Sequence, residues 1–283
     1  MTILDGKMVS KNIKDDIKKQ VENIKKEYNE TPCLAIVLVG DNQASQVYVK
    51  NKIKACEYTG IKSKLINVDN TISEVELLNI VNDLNNDDDV HGIIVQLPLP
   101  KHINENEIIN AISSKKDVDG FGIENKGRLF SGLNAIHSAT PEGIMRLLDA
   151  YNIPIEGKHA VVVGRSNIVG KPIAMLLLSK NATVTITHSR TQDLSSITKQ
   201  ADILVVAIGK ANFIKEDMVK DGSVVIDVGI NRVDGVLCGD VDFENVSKKV
   251  SYITPVPGGV GPLTIASLLQ NTLTAYLNIQ NKK

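Results

Sequence analysis

Val161-Val162-Val163-Gly164-Arg165-Ser166-Asn167-Ile168-Val169-Gly170-Lys171-Pro172 is the stretch that decides the fold. An apolar, β-branched run enters a loop bounded by two glycines, and residues 173–178 continue it with helical spacing. Strand, glycine turn and helix in that order let the backbone approach a pyrophosphate, with free N–H groups and the positive end of the helix dipole facing it. The spacing departs from GxGxxG, because Ser166 stands where the second glycine would be. A plain strand-to-helix turn also explains these residues, so the next strand end has to decide. There the chain reads Thr187-His188-Ser189-Arg190, with no acid. An NAD site places an Asp or Glu about 20 residues past the loop to take the ribose hydroxyls. Arg165, Ser189 and Arg190 suit a 2′-phosphate instead, which favours NADP, although each arginine singly also reads as a solvated surface charge.

Outward from this loop, residues 160–163, 183–187, 203–207 and 224–228 are strand candidates about 20 residues apart, the pattern of a doubly wound unit. Upstream, Ile13, Ile17, Val21 and Ile24 mark an amphipathic first helix. Residues 34–39, 65–68 and 92–95 are further strand candidates, and Ser73 with Glu76 forms a capping box ahead of Leu77, Ile80, Val81 and Leu84. This alternation implies a second parallel sheet with helices on both faces. Thr140-Pro141-Glu142 reads as an N-cap, a first-turn Pro and a first-turn acid, and the domain boundary is placed there. The last segment, residues 264–277, reads as a helix whose partner domain periodicity does not reveal.

With 283 residues, two domains are the default expectation. Hydrophobic residues at 42% and charged residues at 23% suffice for ordinary cores and exclude wholesale disorder. Lys plus Arg (32) balance Asp plus Glu (33), so the basic field that a nucleic-acid partner requires is missing and a small-molecule substrate fits better. Cys33, Cys56 and Cys238 are scattered without a CxxC pair, which reads as reduced structural thiols, and no metal is expected. Neither a leader pattern nor an apolar run of about 18 residues occurs, so the expectation is a cytoplasmic protein without a membrane partner.

Four further segments carry chemistry. Residues 40–52 read as a polar loop entering a helix on which Tyr48 and Lys52 are one turn apart, so a phenol and an ammonium can share a face. An exposed Lys beside a half-buried Tyr is the plainer reading of that pair. Val95-Gln96-Leu97-Pro98-Leu99-Pro100 ends a strand candidate and puts Gln96, both donor and acceptor, at the carboxyl edge where open α/β sheets bind ligands. Lys115-Lys116-Asp117-Val118-Asp119-Gly120-Phe121 is a charged turn, for which ordinary loop chemistry is the alternative. Thr254-Pro255-Val256-Pro257-Gly258-Gly259-Val260-Gly261-Pro262-Leu263-Thr264 is a rigid, close-approach backbone, or a stiff connection, ahead of the last helix.

Taken together and in this order, these segments resemble the bifunctional methylenetetrahydrofolate dehydrogenase/cyclohydrolase family over essentially the whole chain. The resemblance implies an α/β chain of two doubly wound domains with a cleft between them. Residues 1–139 would form the folate and catalytic domain, completed by the C-terminal helix 264–283, and residues 140–263 the Rossmann-type NADP-binding domain. It implies Lys52 as the catalytic lysine, Tyr48 shaping the folate site, Gln96 supporting the lysine and Asp119 holding the pterin. Val95 and Leu97 would line the same site, with Pro257, Gly258, Gly261 and Thr264 at its lip. The cofactor positions would be Gly164, Arg165, Ser166, Ser189 and Ile230, and the partners tetrahydrofolate one-carbon derivatives and a second copy of the chain. Ala139 is a local departure, standing where relatives often carry Cys.

The implied chemistry is hydride transfer from the methylene carbon to NADP, then addition of water to the methenyl cation and ring opening to 10-formyltetrahydrofolate. The first step needs alignment and the second needs proton transfers, which fall to Lys52, as a base if neutral or as a polarising cation if charged. A two-domain dehydrogenase of the shikimate or amino-acid type shares the domain order but does not predict VQLPLP, DVDG or PGGVGP. A short-chain dehydrogenase also uses YxxxK, but its phosphate loop precedes that pair. A folate or nucleotide sensor would not need Lys52, Gln96 and Asp119 intact.

Overall fold

The structure, a computed structural model, describes residues 1–280; the last three residues of the expected helix 264–283 lie outside the described residues. In chain order the first half contains β1 (Thr2–Ile3), α1 (Gly6–Tyr28), β2 (Cys33–Val39), α2 (Gln43–Thr59), β3 (Lys62–Val68), α3 (Glu74–Asn86), β4 (Gly92–Val95), α4 (Glu105–Ala111) and α5 (Ile123–Phe130). There follow α6 (Ala139–Ala150), β5 (His159–Val163), α7 (Gly170–Ser179), β6 (Thr183–Thr187), α8 (Leu194–Thr198), β7 (Ile203–Val206), β8 (Val224–Asp227), β9 (Asn231–Val233), β10 (Val236–Cys238), α9 (Phe243–Val246), β11 (Tyr252–Ile253) and α10 (Val260–Ile279). The chain divides into two compact units, residues 11–139 with 265–283, and residues 1–10 with 140–264.

The unit of residues 11–139 is built on a parallel sheet in the order β3-β2-β4. Every residue of β2 is buried, as a central parallel strand requires. Its even-numbered side chains, Leu34, Ile36 and Leu38, pack with Ile17, Val21 and Ile24 of α1 and with Leu268, Leu269, Leu273 and Tyr276 of α10. Its odd-numbered ones, Ala35, Val37 and Val39, pack with Leu77, Val81 and Leu84 of α3. α3 opens on the expected capping box, in which Ser73 Oγ accepts from Glu76 N while the Glu76 carboxylate accepts from Ser73 N at 2.9 Å. Ser73→Ala is expected to lower the unfolding free energy by about 1 kcal/mol, read from the urea midpoint at constant slope.

In the other unit all neighbouring strands of the sheet β1-β11-β8-β7-β5-β6 run parallel, and β9 and β10 form a separate antiparallel pair. Its core gathers Val161, Val163, Leu204, Val206 and Val225 with Val246 and Ile253. The sequence reading counts residues 1–10 with the first domain, whereas pairing of Thr2 with Tyr252 and Ile3 with Ile253 groups them here. Three further elements differ from expectation. β3 begins at Lys62 rather than residue 65, because an edge strand paired on one side tolerates the polar Lys62-Ser63-Lys64. α6 begins at Ala139, so Thr140 is not its N-cap but lies in the first turn, its hydroxyl 2.9 Å from that of Thr264. α10 begins at Val260, four residues before the expected start, which places Gly261 and Thr264 in its first turns rather than in a loop.

Candidate active site

α2 carries Tyr48 and Lys52 because Asn42 caps it, its side chain accepting from Ser45 N at 3.0 Å, and Val49, Ala55 and Cys56 bury its inner face. That arrangement leaves Lys52 half-buried and Tyr48 exposed. β4 ends at Val95, and the backbone of the following Gln96 stays tied to the sheet through Gln96 N donating to Val37 O at 2.9 Å. Both ends of the Gln96 amide are engaged: Nε2 donates to Leu97 O at 2.8 Å, which fixes the orientation in which Oε1 accepts from Lys52 Nζ at 3.1 Å. Val95 is buried beneath it and Leu97 packs into the same core.

Asp117 and Asp119, two residues apart in the same turn, have different jobs. Asp117 is buried and accepts from Phe121 N, Gly122 N and Asn125 Nδ2, so it builds the turn. Lys116, also buried, spends its ammonium on the carbonyls of Leu84 and Asp87 at the end of α3. Asp119 is half-buried, and its carboxylate accepts no hydrogen bond among the described residues. Burial pushes its carboxyl above the ordinary range; Lys52 draws it back and Asp117 pushes it further up. Half-burial, a neighbouring cation and unused oxygens give Asp119 an acceptor to offer a ligand.

One residue absent from the sequence reading supports this turn. Asn271 on α10 is 7% exposed and donates through Nδ2 to Val118 O and His137 O, both at 2.9 Å. Its signal was available, since an Asn on the apolar face of a helix must find partners when buried. Cys33 and Cys56 are buried free thiols; burial raises Cys33 and pushes Cys56 up to about 12, which disfavours the reactive thiolate of each.

The second group of candidate residues lies in the other unit. Gly164 has φ +123°, and a Cβ there would fall 2.3 Å from Ala207 O, so only glycine lets the loop turn against the end of β7. Ser166 Oγ accepts from Val169 N and Gly170 N at the start of α7, which explains the hydroxyl in place of the second glycine. Arg165 is thereby left exposed at the helix entrance, as are Ser189 and Arg190 past β6. This is a backbone cradle at a helix N-terminus flanked by cationic and hydroxyl side chains, and it fits a dinucleotide carrying a 2′-phosphate. Ile230 is exposed after β8, and a Cβ on Gly261 would lie 3.8 Å from its Cδ1. Pro257 is exposed and Gly258 buried in the segment leading into α10, where Gly259 approaches Gly6 so closely that a Cβ on Gly6 would fall 1.7 Å from Gly259 O. The structure thus places Tyr48, Lys52, Val95, Gln96, Leu97 and Asp119 in one unit. It places Gly164, Arg165, Ser166, Ser189, Ile230, Pro257, Gly258, Gly261 and Thr264 in the other.

Family models sort these candidate residues in the same way, although they count residues 4–10 with the first group and 265–280 with the second. A family model described as the catalytic domain of tetrahydrofolate dehydrogenase/cyclohydrolase matches residues 4–119, and one for the NAD(P)-binding domain of that family matches residues 138–280. The Bifunctional protein FolD of Campylobacter hominis is 57% identical over 279 residues, 98% of each chain. The crystal structure of the FolD methylenetetrahydrofolate dehydrogenase/cyclohydrolase from Campylobacter jejuni superposes with TM-score 0.97 at 54% identity, over 98% of this chain and 99% of that one. The Trypanosoma brucei methylenetetrahydrofolate dehydrogenase-cyclohydrolase, complexed with NADP cofactor and inhibitor, gives 0.93 at 36% identity, over 98% and 97%. A shikimate dehydrogenase from Aquifex aeolicus reaches only 0.53 at 13% identity, over 90% and 94%, a likeness of fold alone.

Proposed function

The chain belongs to the tetrahydrofolate dehydrogenase/cyclohydrolase family, and from that premise we propose that Lys52, Gln96 and Asp119 form the site at which its one-carbon substrate reacts. The protein is a bifunctional enzyme: it oxidises 5,10-methylenetetrahydrofolate to the 5,10-methenyl form with NADP and hydrolyses that product to 10-formyltetrahydrofolate. The observation that carries the site is the Lys52 Nζ to Gln96 Oε1 bond of 3.1 Å at the carboxyl edge of the sheet, with the unengaged Asp119 carboxylate in the electrostatic reach of the same lysine.

Bound at the Gly164 loop, NADP supplies the hydride acceptor. The residues of the chain do the rest. Asp119 takes hydrogen bonds from the pterin ring, and Tyr48, Val95 and Leu97 frame it. Gln96 aims the Lys52 amine, which handles the protons of water addition and ring opening. Arg165, Ser166 and Ser189 hold the cofactor phosphates, and Ile230 packs against the nucleotide. We read the enzyme as a cytoplasmic homodimer, for which sedimentation at twice the chain mass is the check.

The test is the rate of 5,10-methylenetetrahydrofolate oxidation with NADP against NAD, for the wild-type protein and Arg165→Ala. Arg165 is exposed, so solvent screening discounts its phosphate contact to the low end of the charged hydrogen-bond range. The expected loss is about tenfold in NADP affinity, with little change for NAD. Equal use of both cofactors by the wild-type protein contradicts the assignment.

A further inference from the structure

Two buried carboxylates, Asp227 and Asp240, belong to none of the groups above. Asp240 is fully buried and Asp227 is 3% exposed. Asp240 accepts from three successive backbone N–H groups, those of Ile208 (2.7 Å), Gly209 (2.9 Å) and Lys210 (2.7 Å), and from Asn231 Nδ2 at 2.9 Å. Asp227, the last residue of β8, accepts from the N–H groups of Gly229, Asp240 and Val241, each at 2.9 Å. One carboxylate therefore fixes the backbone of the other, and the second fixes the loop that leaves β7.

Glycines make room for both. A Cβ on Gly229 would lie 2.3 Å from the Asp240 carboxyl, and one on Gly239 would lie 1.9 Å from Asp227 Oδ2. Burial pushes the Asp227 carboxyl up to about 6; the N–H bonds pull it down, and Asp240 adds repulsion. Two neighbouring buried carboxylates are a costly way to fill a core, and well-packed apolar residues would be at least as stable. What they achieve and apolar residues cannot is the convergence of consecutive N–H groups, which sets the path of residues 207–210 and 229–231 at the carboxyl ends of β7 and β8. The first of these loops abuts the phosphate turn, since Ala207 N donates to Val163 O at 2.9 Å and Ala207 O is the atom that a Cβ on Gly164 would strike. The second carries Ile230.

We propose that Asp240, anchored by Asp227, is a positioning residue for the cofactor: it presets the two strand-end loops against which the dinucleotide binds. The proposal rests on the reading of this sheet edge as the NADP site. Neither carboxylate accepts a hydrogen bond from the cofactor in this proposal.

Amide hydrogen exchange on the wild-type protein without cofactor gives the first readout. The N–H groups of Ile208, Gly209 and Lys210 lie outside any helix or strand and are expected to exchange slowly. The second readout is calorimetric titration of NADP into Asp240→Asn, whose amide offers one acceptor oxygen and turns donors toward donors. NADP binding should weaken by about tenfold or more. Hydrolysis of methenyltetrahydrofolate supplied directly, with NADP absent, should stay within about twofold of wild type, since Lys52, Gln96 and Asp119, to which its chemistry is assigned, lie in the other unit. Should Asp240→Asn not fold, Asn231→Ala, which deletes one of the donors, is expected to weaken NADP binding by about two- to fivefold. Rapid exchange at residues 208–210, or an unmoved NADP constant in the folded variant, overturns the proposal while wild-type binding stands. A wild-type protein that binds no NADP removes the cofactor reading itself.

Discussion

Lys52→Met is expected to reduce hydrolysis of 5,10-methenyltetrahydrofolate by at least the roughly 100-fold typical of losing an acid/base group, and to reduce methylenetetrahydrofolate oxidation much less. The reason lies in the different proton demands of the two steps. Hydride departure is driven by the nitrogen lone pairs of the substrate and needs no protein base, whereas adding water and opening the ring requires protons to be removed and delivered. Met keeps most of the side-chain length and removes the amine. It also leaves Gln96 Oε1 without the donor it now has at 3.1 Å, so some loss of substrate alignment, and with it some oxidation rate, is built into the variant. Both rates have to come from one preparation, with the methenyl substrate supplied directly for the second. Hydrolysis near the wild-type rate, or oxidation as the more damaged activity, removes Lys52 from the proton-handling role.

Asp119→Asn is expected to weaken folate binding by about 10- to 100-fold, the range for a hydrogen bond to a charged acceptor, with NADP binding unchanged. Asp119 is suited to this because its oxygens are uncommitted while those of its neighbour Asp117 are occupied by the turn. The amide keeps the shape and one acceptor but replaces the other with a donor. Its carboxyl is already raised by burial, so acidification protonates it at a higher pH than an exposed Asp and should weaken folate binding in the same direction. Calorimetric titration separates the two ligands. Unchanged folate affinity contradicts the assignment, and so does an equal loss for folate and NADP.

The contrast between Asp117 and Asp119 also shows where sequence stops being legible. Spacing and composition mark the turn as chemistry or as loop, but which carboxylate is spent on backbone N–H groups depends on the path of residues 120–125, which no local pattern encodes. The strands whose burial is complete, β2 and β4, are readable because burial on both faces demands a continuous apolar run. β3 is half hidden because its first three residues, on an edge, carry no apolar signal. β1 is hidden altogether: two residues cannot show a period, and only pairing with β11 reveals them. In the segment before α10, proline and glycine obscure a helix start at Val260, since Pro262 falls in the first turn where a missing N–H does no harm. In the candidate site, Gln96 and Gly164 are legible because each directly follows an apolar strand, and Lys52 because it lies one turn past Tyr48 in the middle of a helix that local patterns mark. The partners of Asn271, Asp227 and Asp240 are not legible, because each side chain acts on backbone groups far away in sequence.

The central claim is that one chain performs both steps in succession. It is tested most directly by supplying wild-type protein with 5,10-methylenetetrahydrofolate and NADP and following NADPH and 10-formyltetrahydrofolate in the same vessel. The account predicts equal final amounts of the two products, with the methenyl intermediate disappearing faster than in a protein-free control. NADPH formed while the methenyl compound accumulates and decays only at the protein-free rate would contradict it.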